Sequence, residues 1–254
     1  MPDLNKLFAL FIGLSIATCT PAAGESIPNI DARFETIQCE IPCKKPQKRI
    51  WWMLRSATQI ELRDVGLHTG KLAKFGEIWR HQADNKLSYL FLMYEDKRAI
   101  EYLPDDLKIL GISADEKQWQ IITQLITDDE VAHMKKTSVK SEFYHRYQVE
   151  SYVGMINDTR VSVLWLPQLH IPAKIVYYYP KPKNSGTKVP ETKITVQLKQ
   201  LSTELASSIR TSESQLSSYQ QVYYTDIGDM EQNAEAQAWI TKAKGAPGLH
   251  THQH

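Results

Sequence analysis

The chain carries three cysteines in 254 residues, no imbalance of charge, and no apolar run long enough to cross a membrane as a helix. Each shortage excludes something. Thirty Lys and Arg against 29 Asp and Glu leave a formal charge of +1, so no global field draws the chain to nucleic acid, and partners must be read locally. Signatures of common catalytic sites are missing as well: no GxSxG, Walker loop, HExxH, GxGxxG or paired CxxC occurs. The histidines before the tail (His68, His81, His133, His145 and His170) fall in different predicted elements. The pairs Asp105–Asp106 and Asp128–Asp129 stand at helix starts, where the helix dipole accounts for them. The expectation is a protein that is not an enzyme and requires no cofactor.

What is present begins with the N-terminus. A lysine at position 6, an apolar run from Leu7 to Ala17 and small residues ending near Ala22 to Gly24 have the layout of a secretory signal peptide. Residues 1–24 are expected to be that leader and the mature protein to be periplasmic. "IATC" (Ile16 to Cys19) resembles a lipoprotein signal, but Thr18 stands where Gly, Ala or Ser is usual, so a lipidated Cys19 is the lesser reading. Export leaves Cys39 and Cys43 in "CEIPC", two thiols four apart in an oxidising compartment, expected to form a local disulfide in an irregular segment over 25–48.

From Arg49 the pattern is that of strands. "RIWWMLRSATQIELRDV" alternates at Ile60, Leu62 and Asp64, and "GEIWRHQADNKLSYLFLMYED" gives two strands around a polar turn. The period changes in "DEKQWQIITQLI", where Trp119, Ile122, Leu125 and Ile126 share a helical face, and "DDEVAHMKK" follows as a second short helix. Strand character then returns through "FYHRYQVESYVG", "TRVSVLWL", "AKIVYYY" and "TKITVQLKQL". The loop "PKPKNSGTKVP" lies between the last two, and a final strand around "QQVYYTDI" precedes a helix over Asp229 to Lys244. The 42% hydrophobic content suffices for one domain over 49–244, with a histidine-containing tail over 245–254.

Many antiparallel strands, two central helices and more strands resemble the periplasmic lipoprotein-carrier superfamily of LolA and LolB. The closest local likeness is "YVGMINDTRVSVLWLPQLHIPAKIVYY", with Gly154 ending one strand, Trp165 near the end of the next and Pro172 starting a third. The resemblance implies an α+β fold, a strongly curved antiparallel half-barrel with helices covering its concave face. It also implies an apolar ligand, a lipid or lipoprotein acyl chain. Carriers of this kind often have an Arg that gates the cavity; Arg49, Arg55 and Arg63 lie in the first strand-like stretch, and none is assigned that role.

The physical reading is compatible. A twisted sheet curls, its concave face collects apolar side chains, and helices must cover that face. Leu164, Trp165, Leu166, Ile175, Tyr177 and Tyr179 are the candidate ligand-binding residues, with Pro167 and Pro172 pinning the turn between them; filling a core is the equal alternative. His250, His252 and His254 alternate with polar residues after "GAPG" and are candidate ligands for Zn or Cu. Two other readings therefore stand beside lipid carriage: a metal-delivery protein using the tail, and an interaction module for an envelope protein. Contact with a membrane is expected to be peripheral or nil.

Overall fold

Apolar–polar alternation builds strands such as Gln59–Val65, and continuous apolar runs such as Leu87–Met93 build others that are buried on both faces. The structure, a computed structural model, describes residues 27–82, 86–144, 146–180, 191–204, 208–230, 233–243 and 245–247. Six strands come first: β1 (Ile30–Glu40), β2 (Gln47–Arg55), β3 (Gln59–Val65), β4 (Leu72–His81), β5 (Leu87–Met93) and β6 (Arg98–Tyr102). Helices α1 (Pro104–Ile109), α2 (Glu116–Gln124) and α3 (Asp128–Ala132) interrupt them. Strands β7 (Lys135–Tyr144), β8 (Tyr147–Ile156), β9 (Thr159–Leu166), β10 (Ile171–Tyr179) and β11 (Thr192–Ser202) follow, then α4 (Glu213–Leu216), β12 (Gln220–Tyr223) and α5 (Ala234–Ile240).

The strands form one open sheet in the order β12-β6-β5-β4-β3-β2-β1-β11-β10-β9-β8-β7. All pairings in it are antiparallel except β12 with β6. Three expectations need correction. The segment 25–48 is not irregular: Ile30–Glu40 is a strand between β2 and β11. Its Asp31, Arg33 and Glu35 alternate with Ile30, Ala32 and Phe34, a period of two that marks a strand beside the Pro- and Lys-rich stretch over 42–48. The central helices number three among the described residues, α1 being started by Pro104 and its two aspartates. The last helix begins at Ala234 and not at Asp229, because a 3-10 turn over Gly228–Met230 intervenes.

One face of the sheet holds the main core. Cross-strand pairs Phe34 with Trp51, Met53 with Leu62, Ile60 with Trp79, and Trp79 with Tyr89 carry it from β1 to β5. Leu107 of α1, Trp119 of α2 and Trp239 of α5 join the same cluster. Burying each such side chain is worth roughly 1.5–3 kcal/mol, so these helices are held on the sheet mainly by apolar area. A second cluster forms where Ile126, Val131 and Met134, in and beside α3, meet Val161, Val163, Trp165 and Ile175. Gly154 makes room for it: a Cβ there would lie 2.7 Å from Met134 Cγ.

The chain between β11 and β12 crosses the opposite face. Ile209 packs on Trp52, Leu54 and Val65, and Leu216 on Ile78, Leu90 and Leu92. Polar fasteners hold this crossing. Buried Glu61 accepts from the Thr211 backbone N–H and hydroxyl, both at 2.8 Å, and from the Tyr94 hydroxyl at 2.7 Å. Arg63 lies 3.6 Å over the Tyr94 ring.

Candidate functional site

Strand parity defines the site. Arg49, Trp51, Met53 and Arg55 alternate along β2, and the register places Met53 beside Leu62 and Arg55 beside Ile60, so all four share the face of the main core. Neighbours on that face are Leu62 and Asp64 of β3, Phe75, Glu77 and Trp79 of β4, and Val196 of β11.

Toward the Arg55 end this face is filled. Trp79 and Tyr89 are 4.8 Å apart, Tyr89 and Tyr102 5.3 Å, and Tyr102 stacks on Tyr224 at 4.8 Å. Toward the Arg49 end the packing thins: Leu62, Phe75 and Val196 are only half-buried at the margin of the cluster. The floor between them is aromatic. Phe34 stacks on Trp51 at 4.9 Å, Phe75 on Phe91 at 5.7 Å, and Trp51 Nε1 donates to Thr36 Oγ1 at 3.0 Å. The Arg49–Asp64 pair, at 2.7 Å and exposed, stands at this end of the face. Burial raises the Glu77 carboxyl above its ordinary range, with Arg49 opposing, so this apolar stretch holds one carboxyl that is reluctant to ionise.

At the other end Arg55 is fully buried. Its guanidinium donates to Thr123 O (2.7 Å), Leu169 O (2.6 Å), His170 O (3.4 Å) and Pro28 O (3.1 Å). One cation thus ties the last turn of α2, the β9–β10 turn and the segment before β1 together through main-chain carbonyls. Burial pulls its pKa down to about 9 while Asp128 pushes it up, which leaves it charged at neutral pH. Two histidine–carboxylate pairs work beside it. His81 Nε2 lies 2.9 Å from Glu116 at the start of α2, and His170 Nδ1 2.8 Å from Asp128 at the start of α3. The helical cover is therefore held by polar ties as well as by its apolar contacts.

The candidate ligand wall does not stay together. Trp165 and Ile175 are buried in the second cluster with Tyr177 half-buried at its edge, whereas Leu166 is buried in the main cluster and Leu164 packs against it. Tyr179 is exposed at the end of β10. Single-residue alternation on β9 separates Leu164 and Leu166 from Trp165. Cys39 and Cys43 form a disulfide with Cα atoms 5.2 Å apart. His250, His252 and His254 lie outside the described residues, as do residues 1–26 and His145. Among the described residues no three His, Cys, Asp or Glu side chains gather as a metal site. The aspartates of positions 105, 106, 128 and 129 do stand in first turns of helices. Sequence reading missed Arg55 as the tie, although parity with Trp51 and Met53 was a signal for its inward direction.

Described hollows open at strand ends. One of about 620 Å³ is lined by Arg49, Asp64, Leu67, Leu72 and Lys74 among others, and one of about 570 Å³ by Cys39, Ile41, Pro42, Lys44 and Lys45 among others. No helix among the described residues is long and apolar enough to cross a membrane.

The geometry is that of an open, mostly antiparallel sheet with α1, α2 and α5 packed on one face and α4 on the other. No protein-family model matches the chain, and no curated protein matches its sequence. Solved structures similar to it include PNGF-II, at 10% identity and a TM-score of 0.38 over 81% of this chain; the chain spans only 33% of that protein's length. A LolA superfamily protein from Nitrosomonas europaea is similar at 10% identity and a TM-score of 0.29, covering 74% of this chain and 91% of that one. A DUF1329 family protein from Desulfovibrio piger is similar at 6% identity and a TM-score of 0.32, covering 76% and 90%. At these scores the likenesses carry no argument, and the functional reading rests on the chain's own geometry.

Proposed function

We propose that the protein is an exported binding protein, not an enzyme, that carries an apolar chain such as a lipid or a lipoprotein's acyl group against the inner face of its sheet. The observation that carries this reading is the half-buried stretch of Leu62, Phe75 and Val196 over the Phe34–Trp51 floor. Half-buried aliphatic and aromatic side chains beside a well-filled core are what an apolar guest can cover, at about 0.8 kcal/mol for each CH₂ removed from water. The polar ties at Arg55, His81 and His170 support it further. The two histidine–carboxylate ties are partly exposed and can exchange with water, whereas buried Arg55 keeps its main-chain carbonyl partners, so the cover can yield at the starts of α2 and α3 when a longer guest enters.

The test is direct. Protein purified from the exporting cell is extracted with organic solvent, and a fluorescent fatty acid is titrated into wild type and the Leu62→Ala/Phe75→Ala double variant. A co-extracted lipid, and binding weakened about tenfold or more in a still-folded variant, is the expected result. Absence of both lipid and saturable fatty-acid binding would refute the reading.

A further inference from the structure

The strand ends opposite Arg55 form a rim that the proposed function does not use. Connections β1–β2, β3–β4 and β8–β9 lie there with the end of β10 and the start of β11, because antiparallel neighbours turn at a common end. Three of the exposed large apolar side chains lie on them: Ile41 (39% exposed), Leu67 (45%) and Tyr179 (41%). Ile41 and Tyr179 line one small hollow together with Arg160 and Tyr178, so the β1–β2 connection and the end of β10 are contiguous. The two larger hollows continue the rim on either side of Gln47 and Lys48 of β2.

The charge on this rim is one-sided. Lys44, Lys45, Lys48 and Lys71 form no ion pair among the described residues, whereas Arg49 and Lys74 are neutralised by Asp64 and Glu95. Arg160 and Lys193 hold the Tyr178 ring between them, at 4.5 and 5.6 Å. These cations outnumber Glu40, Asp158 and Glu191, while Glu95 and Asp96 of the β5–β6 connection at the same end are taken by Lys74 and Lys242. The whole chain is almost neutral, so the excess is local.

We infer that this rim docks on an anionic phospholipid surface. Isolated aliphatic side chains set among lysines match the two layers of a bilayer interface: Ile41 and Leu67 reach the acyl boundary while the lysine stems lie along it and their ammonium groups meet phosphates. Tyr179 suits the same depth, with an apolar ring and a polar end. A soluble acidic partner would be met by the charges alone and gives the exposed Ile41 and Leu67 no role. The Cys39–Cys43 disulfide braces the loop that presents Ile41, Lys44 and Lys45. The inference is independent of whether the inner face holds a guest.

Flotation with phosphatidylcholine vesicles, with and without phosphatidylglycerol, tests it on the exported full-length product, its N-terminus verified by intact mass. Binding is expected only with phosphatidylglycerol, and is expected to fall as salt rises. Lys44→Glu/Lys45→Glu/Lys48→Glu should weaken it on the order of a hundredfold, and Ile41→Ser/Leu67→Ser should weaken it without changing its salt dependence. All five positions are exposed or form turns, and each variant shares the wild-type N-terminus, so an unprocessed leader would not mimic the pattern. Failure of the wild type to float, or flotation unchanged in the lysine variant, overturns the proposal. Saturable binding to soluble polyglutamate with vesicles left unbound also overturns it, in favour of an acidic protein partner.

Discussion

Strand β2 starts in water and ends in the core. Gln47, Lys48 and Arg49 are exposed, whereas Trp51 through Arg55 are buried on both faces. The two ends use cations in opposite ways. Lys48 stands with other lysines that form no ion pair among the described residues, in high dielectric, where moving one charge alters stability little. Arg55 has been taken out of water and is compensated by main-chain carbonyls from three separate segments. The same charge is thus surface chemistry at one end and structural at the other, and burial decides which.

That contrast is broken most strongly at Arg55. Arg55→Met keeps the apolar stem but leaves the Thr123 and Leu169 carbonyls without their donor, and should cost on the order of 3–5 kcal/mol by urea denaturation. Arg55→Lys should cost less, since an ammonium can still reach some of the carbonyls. A loss below about 1 kcal/mol for the methionine variant would show that packing alone holds α2 and the β9–β10 turn.

At the opposite end, replacing Cys39 and Cys43 together by serine removes a very short loop closure. The expected loss is about 2 kcal/mol in a protein that still folds. Loss of the fold would show that the bridge organises more than the β1–β2 connection, for which β1's central place in the sheet gives a route.

Glu77 lies between the ends and gives a pH test. Burial raises its folded-state pKa above the unfolded one, so the folded protein holds the proton to higher pH. Its favourable contribution is complete below the unfolded value and is lost as pH rises through the folded value. Glu77→Gln should therefore raise the unfolding midpoint at pH 7 and bring no gain near pH 4. An equal effect at both values would mean that the carboxyl is ionised throughout.

Smallest of all is Lys44→Ser with Lys48→Ser, expected to shift stability by less than about 0.5 kcal/mol. The contrast with Arg55 would lose its meaning if these exposed lysines mattered as much.

Much of the sheet was legible before the structure, because Ile60–Leu62–Asp64 and the β9 and β10 runs carry period 2 openly. β1 carries it as well, with Ile30, Ala32 and Phe34 alternating with Asp31, Arg33 and Glu35, but the Pro- and Lys-rich stretch beside it makes 25–48 as a whole read as irregular. The disulfide was legible from spacing and the expected export. The proposed ligand wall was less so: composition placed Leu164, Trp165 and Leu166 together, and strand alternation divides them between two clusters. Arg55 illustrates the remaining limit. Its partners are carbonyls of Pro28, Thr123, Leu169 and His170, and a carbonyl leaves no trace in residue identity.

The central claim is that an apolar guest lies on the Phe34–Trp51 floor, and contact quenching of tryptophan reports it most directly. The chain has six tryptophans, of which Trp51 borders the half-buried stretch. Titration with a brominated fatty acid should quench the wild-type emission saturably, and Trp51→Phe should remove most of that quenching while leaving the fold intact. Quenching that is absent, or undiminished in the Trp51→Phe protein, would contradict the account.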